Sequence, residues 1–243
     1  MTTGDDSAQT PHIPVPLEFQ RISADESLQR SRDFLETMRT RRSIRHFSPE
    51  PVQYEIIANA VATAGTAPSG ANQQPWTFVV ISDQSTKDQI RQAAENTERD
   101  FYERRISEEW RGALRPLGTD HQKPHLSDAP YLVVVFEHPF GLEFDEKGEE
   151  VKRKHYYAQE SVGIAVGLFI ASITNAGLCC LTHTPSPMIF LRDLLERPRN
   201  ERPFVVIPVG YPADDATVPA HASEKKPLDE ILIHVSSLNE SEQ

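Results

Sequence analysis

A mixed chain of helices laid over a sheet is predicted by three features of these 243 residues. Short runs rich in branched residues, Trp76–Ile81 and Tyr131–Phe136, are apolar on both faces, as strands inside a covered sheet are. Segments with helical periodicity separate them, and one of these, Tyr156–Asn175, is apolar on most faces. No repeat or low-complexity linker divides the chain, which is long enough for one good core or two small ones. That order gives an α+β or α/β sandwich.

Each element has a local reason. Ser23-Ala24-Asp25-Glu26 reads as a capping box, opening a helix through Leu28, Phe34, Leu35 and Met38 to near Thr40. Pro49 and Pro51 start a second helix, with Ile56, Ile57, Ala60, Val61 and Ala64 inward and Gly65 at its end. Trp76–Ile81 is a central strand, and Gln84 to about Arg105 a charged helix. Tyr131–Phe136 is a second buried strand, followed by a charged excursion over Glu143–Lys154. In Tyr156–Asn175 the pair Gly163 and Gly167 forms a small-residue stripe, so this helix is expected to be buried on all sides, in the core or a dimer interface. Leu178–Thr184, Phe204–Gly210 and Glu230–Val235 complete the strands, with a short helix over Met188–Leu195. Residues 1–20 and 237–243 are expected to be flexible ends.

Composition excludes several functions. With 25 basic against 36 acidic side chains the net charge is −11, which argues against nucleic acid or an anionic membrane as partner. Any bound anion needs a local basic pocket. Cys179 and Cys180 are adjacent and read as small buried hydrophobes rather than a disulfide framework. No run approaches the roughly 18 apolar residues of a membrane span, and the polar start does not read as a secretory signal. The expected location is cytoplasmic, and no metal site is expected.

Four groups of residues carry possible chemistry. Arg41, Arg42 and Arg45 lie within five residues, and Arg41, Ser43 and Arg45 alternate onto one side of an extended segment. Guanidinium forks match phosphate oxygens, although a bare charge run is often solvated surface. No glycine-rich phosphate loop is present, so side chains would have to hold the phosphate. Pro68-Ser69-Gly70-Ala71-Asn72 is a turn where backbone can approach a flat ring, or an ordinary helix–strand loop. Thr182-His183-Thr184-Pro185 ends a buried strand, with both threonines on one side and His183 on the other. The threonine hydroxyls could tune a flavin, and His183 is an acid or a structural side chain. Glu98 and Tyr102 stand four apart on one helix face, with Lys123 in the following loop. That trio can grip a zwitterion, or can simply face solvent.

Taken together these pieces resemble the nitroreductase/flavin reductase superfamily and, within it, the iodotyrosine deiodinase family. The resemblance runs from about Leu28 to Val235 and includes Pro75-Trp-Thr-Phe-Val-Val, His155-Tyr-Tyr, Glu160-Ser-Val, Pro208-Val-Gly-Tyr-Pro, Ala216-Thr-Val-Pro and Lys226-Pro-Leu-Asp-Glu. It implies a three-layer sandwich, a central mixed sheet flanked by helices, in an intertwined homodimer. One FMN domain over 21–236 would carry a lid at about 95–123. By the same resemblance FMN is bound by Arg41, Arg42, Ser43, Ile44, Arg45, Ser69, Gly70, Thr182, His183, Thr184 and Lys225. Thr184 is the catalytic residue at the flavin N5 edge. The Ala71 amide, Glu98, Tyr102 and Lys123 hold the substrate. Two positions depart from the family pattern. Lys225 stands where an arginine often contacts the phosphate, and His183 where vertebrate members have a threonine. The vertebrate membrane anchor has no counterpart here, which points to a soluble, bacterial version.

The implied function is reductive dehalogenation of halotyrosines, with electrons from an unidentified NAD(P)H-linked donor. A broad nitro or quinone reductase is the second reading, and a non-catalytic binder of aromatic amino acids the third. The Glu98, Tyr102 and Lys123 trio separates the first from the second, because a nitroaromatic has no zwitterion to grip.

Overall fold

The structure is a computed structural model that describes residues 12–236. Residues 1–11 and 237–243, and with them most of the expected flexible ends, lie outside the described residues. The chain divides into a short unit, Met1–Glu36, and a main unit, Thr37–Gln243. In the first, residues 12–21 are exposed and irregular, and helix α1 (Ala24–Arg39) opens where the capping box sits. The Ser23 Oγ accepts a hydrogen bond from the Glu26 amide at 3.2 Å.

In the main unit, Pro49 and Pro51 lead in extended to α2 (Tyr54–Gly65), which begins a few residues after them. Strand β1 (Trp76–Ile81) follows, then α3 (Gln84–Asp100), capped by Asp83, whose carboxylate accepts from the Thr86 amide at 2.7 Å. The charged helix therefore ends near residue 100, and Phe101–Arg105 widens into a π turn closed by Ile106 N–H to Phe101 C=O at 2.9 Å. Next come α4 (Glu108–Leu114), α5 (His125–Asp128) and β2 (Tyr131–Glu137). The charged excursion is a hairpin, β3 (Phe140–Phe144) and β4 (Glu150–Lys154), turned at Asp145–Gly148. The Asp145 carboxylate accepts from the Lys147 and Glu149 amides, which closes that turn.

Helix α6 (Ala158–Asn175) leads to β5 (Cys179–Cys180), α7 (Phe190–Leu194), β6 (Arg202–Gly210) and α8 (Leu228–Ile231). The main sheet runs β1-β2-β6-β5 with antiparallel pairs, and a parallel bridge from Ser43 to Cys180 makes its edge mixed. Both faces are covered. Ile57 and Ala60 of α2 and Val162, Phe169 and Ile173 of α6 pack on Val133, Val135 and Ile207. On the other face Ile90 and Ala94 of α3 and Leu191 of α7 pack on Leu132, Val134, Phe136 and Val206. This is the expected α+β three-layer arrangement, and fully buried branched residues on both faces explain the unalternating strands.

Three expectations fail. Strand β1, expected to be central, pairs only with β2 and is an edge strand among the described residues. The strand expected over Leu178–Thr184 pairs regularly only at Cys179–Cys180, after which a single bridge joins His183 to Val206. Pro185 cannot donate to a ladder, so pairing stops there. Glu230–Val235 is not a strand: Leu228–Ile231 is one helical turn and 232–235 are exposed, with no paired strand beside them among the described residues. For helix α6, expected in the core or a dimer interface, burial within one chain is one-sided. Ala165 and Phe169 are buried, while Gly163 and Gly167 face open space and Ile164 is 47% exposed.

Candidate functional site

The most concentrated chemistry lies where the end of α3 meets the loop before α5. Lys123 is buried to 3% exposure, and its Nζ sits 2.8 Å from Glu98 Oε2. The same ammonium donates to Thr119 Oγ1 at 3.3 Å and to the Asp120 carbonyl. It also stands 5.5 Å from the centre of the Tyr102 ring. The Lys123 amide donates to Glu95 Oε1 at 2.8 Å, which fixes the loop at its base. Glu98, Tyr102 and Lys123, picked out by spacing, are thus brought together. The π turn matters here because it carries Tyr102 and reorients the chain that would otherwise continue as a straight helix.

Burial sets the electrostatics of this cluster. It pushes the Glu98 carboxyl above the usual carboxylate range, and the nearby Lys123 ammonium only partly opposes this. It also raises the Tyr102 phenol, with a smaller opposing effect from its Thr119 hydrogen bond. His183 is buried beneath, its Nε2 3.5 Å from Glu98 Oε1. His125 packs edge-on against it, ring centres 5.3 Å apart. Burial drives both imidazoles down to about 3, helped by the Lys123 and Arg45 charges, so both are neutral near pH 7. His125, Thr119 and Asp120 escaped the sequence reading; only the position of His125, two residues past Lys123, offered a hint.

From this cluster a trough runs across the chain in three adjoining hollows. The first, about 190 Å³, is lined by Arg45, Thr119, Asp120 and His125. The second, about 310 Å³, shares Arg45, His46 and Gly118 with it and adds Leu117 and Val218. The third, about 290 Å³, shares Leu117 and Val218 and ends on Arg41, Arg42, Ser43 and Lys225. Lys225 therefore meets the arginine run across most of the sequence. Neither Arg41 nor Lys225 forms an ion pair among the described residues; Lys225 Nζ donates only to the Ala222 carbonyl at 3.1 Å. Arg42 folds back, donating to the Arg39 carbonyl at 2.8 Å and the Arg41 carbonyl at 3.0 Å. Ile44 turns its side chain into a small core with Phe47 and Ala129.

The turn at 69–72 lies elsewhere and lines none of these hollows. It is locked onto the end of the hairpin. Gln73 Nε2 reaches the Lys154 carbonyl at 3.4 Å, and Gln73 Oε1 accepts from the Tyr156 amide at 3.0 Å. A Cβ on Gly70 would stand 2.6 Å from the Tyr156 carbonyl oxygen, so only glycine fits. Ala71, Asn72 and Gln74 all adopt positive φ, strain that the surrounding contacts enforce. Ser69 Oγ accepts from the Gln74 amide at 2.9 Å, and the Asn72 and Gln73 amides are also spent inside the turn. The Ala71 N–H has no acceptor among the described residues. Thr182 and Thr184 are exposed, and His183 between them is buried, as alternation predicts. His183 therefore faces Glu98 and not the side of the sheet that carries the threonines.

Residues 38–211 match the sequence profile of the Nitroreductase family. An iodotyrosine deiodinase of Haliscomenobacter hydrossis is 51% identical over 205 residues, covering 84% of this chain and 90% of that protein. Iodotyrosine deiodinase 1 of Homo sapiens is 41% identical over 224 residues, covering 91% and 75%. The chain belongs to the nitroreductase family, in its iodotyrosine deiodinase branch. Among solved structures, an oxidized iodotyrosine deiodinase bound to FMN and 3-iodo-L-tyrosine superposes with a TM-score of 0.67 at 30% identity, covering 84% of this chain and 100% of that one. A Bacteroides fragilis nitroreductase with bound FMN superposes at 0.60 with 17% identity, a likeness of fold.

Proposed function

We propose that this deiodinase-branch chain is an FMN-dependent oxidoreductase that converts halotyrosines, with iodo-, bromo- and chlorotyrosine as its class, to tyrosine and halide. The observation that carries this is the buried Glu98–Lys123 pair, with Tyr102, at one end of a trough whose other end is cationic. The residues at the cationic end suit FMN. Arg41, Arg42, Ser43 and Lys225 offer forked and single donors to a phosphate, and Arg41 and Lys225 form no ion pair among the described residues; Glu224, which also lines this hollow, lies 3.3 Å from His221. Lys225 in place of a guanidinium keeps the charge and loses the fork. Reduced FMN held here would supply two electrons which, with one proton, replace the carbon–halogen bond by carbon–hydrogen and release halide.

The chain's own residues bind and orient. An ortho halogen acidifies the phenol, and the unspent Ala71 N–H is the donor for the resulting phenolate. The substrate zwitterion enters the Glu98–Lys123 pair, so one internal ion pair becomes two, ammonium to Glu98 and carboxylate to Lys123. No charge is left uncompensated in the exchange, which suits a buried site. Tyr102 closes over the aliphatic part, and residues 95–123, largely exposed and jointed at Gly118 (φ 61°), act as the lid. The Thr184 hydroxyl, on the exposed side of its segment, would be available to donate to the flavin ring.

The 69–72 turn lies outside the trough, and the face of α6 around Ile164 is uncovered. Both favour a homodimer in which one copy's turn completes the other's trough. Electrons reach it from an NAD(P)H-linked donor, in a cytoplasmic setting. No helix among the described residues is long and apolar enough to cross a membrane. The test is direct. Purified protein should be yellow, dimeric, and release iodide from 3-iodotyrosine with dithionite as reductant. Colourless protein that ignores added FMN, or a yellow one active on nitroaromatics but inert to iodotyrosine, overturns the reading.

A further inference from the structure

Beneath the zwitterion clamp lies a buried group that the binding scheme above does not use. His183 is 9% exposed, sits on the core side of its segment, and is fixed by its backbone, which exchanges hydrogen bonds with Val206 at 2.8 and 2.9 Å. Its Nε2 is buried and has no hydrogen-bond partner among the described residues. The nearest acceptor is Glu98 Oε1, at 3.5 Å, just beyond a good hydrogen bond. Glu98 meanwhile spends its other oxygen, Oε2, on Lys123. An ionised carboxylate only accepts, so the nitrogen that faces it is the protonated one, and the neutral ring is the Nε2–H tautomer. An unmade bond between a buried donor and a buried acceptor is costly on both sides.

We propose that His183 is the positioning residue for Glu98 in the substrate-bound state, donating from Nε2 to Oε1 once the substrate carboxylate draws Lys123 away. This rests on the halotyrosine reading above. A shift of a few tenths of an ångström makes the bond. Oε1 is then held from below, and Oε2 is aimed at the substrate ammonium. The carboxylate stays ionised even though its lysine is shared, because a donor replaces it. Without that donor, burial would drive Glu98 to take up a proton and lose its hold on an ammonium. The other groups near Glu98 do not fill this role. Asp120 repels it, Lys123 is paired with the other oxygen, Oε2, and His121 acts on it only through charge. His125 packs against the His183 ring and holds its plane. Among the described residues no cluster of histidine, cysteine and carboxylate is placed to hold a metal, so the orphaned nitrogens are not ligands awaiting an ion.

The position is also a specificity device. A neutral imidazole supports a carboxylate that recognises an ammonium, so its effect should be confined to ligands that carry one. The experiment titrates FMN-loaded protein with 3-iodotyrosine and with 2-iodophenol, which has the ring but no zwitterion, following flavin absorbance. H183L should weaken 3-iodotyrosine about ten- to a hundredfold, the loss of one charge-assisted hydrogen bond, and leave 2-iodophenol and FMN affinity unchanged. H183Q, whose amide N–H reaches a similar distance, should recover most of that loss. In an E98Q background, H183L should add little, since the two act as one unit. Equal weakening of both ligands, or full additivity with E98Q, would mean His183 merely packs, and the proposal falls. H183L and wild type binding 3-iodotyrosine equally also overturns it. Wild type that fails to bind 3-iodotyrosine while binding FMN sinks the halotyrosine reading itself, a separate result.

Discussion

Replacing Lys123 by Met removes one charge from a buried pair and keeps most of the aliphatic stem. At 2.8 Å the attraction between Lys123 and Glu98 is about 6 kcal/mol with an effective dielectric near 20. Desolvation of both groups offsets much of that, so the pair contributes far less in net terms. Removing one partner is different, because Glu98 stays buried without compensation, and the expected loss of stability is about 3–5 kcal/mol. For a chain of this size that lowers Tm by roughly 6–20 °C. The pH dependence identifies the cause. Burial already raises Glu98 above its unfolded value, and the variant raises it further. A raised carboxyl pKa favours the fold below the unfolded value and loses that advantage as pH rises through the folded one. The difference between variant and wild type should therefore be large at pH 8 and shrink at pH 5. Urea unfolding at the two values reads it, and E98Q/K123M should recover most of the loss at pH 8. A penalty under about 1 kcal/mol that does not change with pH would show that the pair is solvated and the clamp reading mistaken.

Three more outcomes follow from the same geometry. R41A and K225A should each weaken FMN about ten- to a hundredfold and leave riboflavin, which lacks the phosphate, unchanged; equal effects on both would place the phosphate elsewhere. G70A should destabilise by about 1–3 kcal/mol and weaken 3-iodotyrosine, because its Cβ meets the Tyr156 carbonyl; unchanged Tm and Kd would refute the close approach. His125 and His183 are held near 3, well below their unfolded value of about 6.5, so each favours the fold above pH 6.5 and loses that as pH falls. H125F should flatten the acid limb of the stability profile between pH 6.5 and 4, and an unchanged slope would exclude that histidine as its source.

Much of this architecture is legible in the amino-acid order because the signals are local. Ser23 and Glu26 cap their helix, β1 and β2 are apolar on both faces, and Glu98 and Tyr102 share a side at four-residue spacing. The alternation of Thr182, His183 and Thr184 also follows from the period of an extended chain. The π turn at Phe101–Arg105 and the hairpin over 140–154 were not legible. Their charged residues satisfy a solvated helix or loop equally well, and only packing against the body chooses. Helix α8 stands where a strand was expected, and among the described residues no neighbouring strand pairs with it, which no local pattern reveals. The site shows the same division. Residue types marked Arg41 and Arg42 as anion binders and Lys123 as a carboxylate partner, Lys225 entered only through the family resemblance, and the tertiary structure lines one hollow with Lys225 and the arginine run. It also decided that His183 faces Glu98, because the ring's position depends on which side of the sheet Val206 presents.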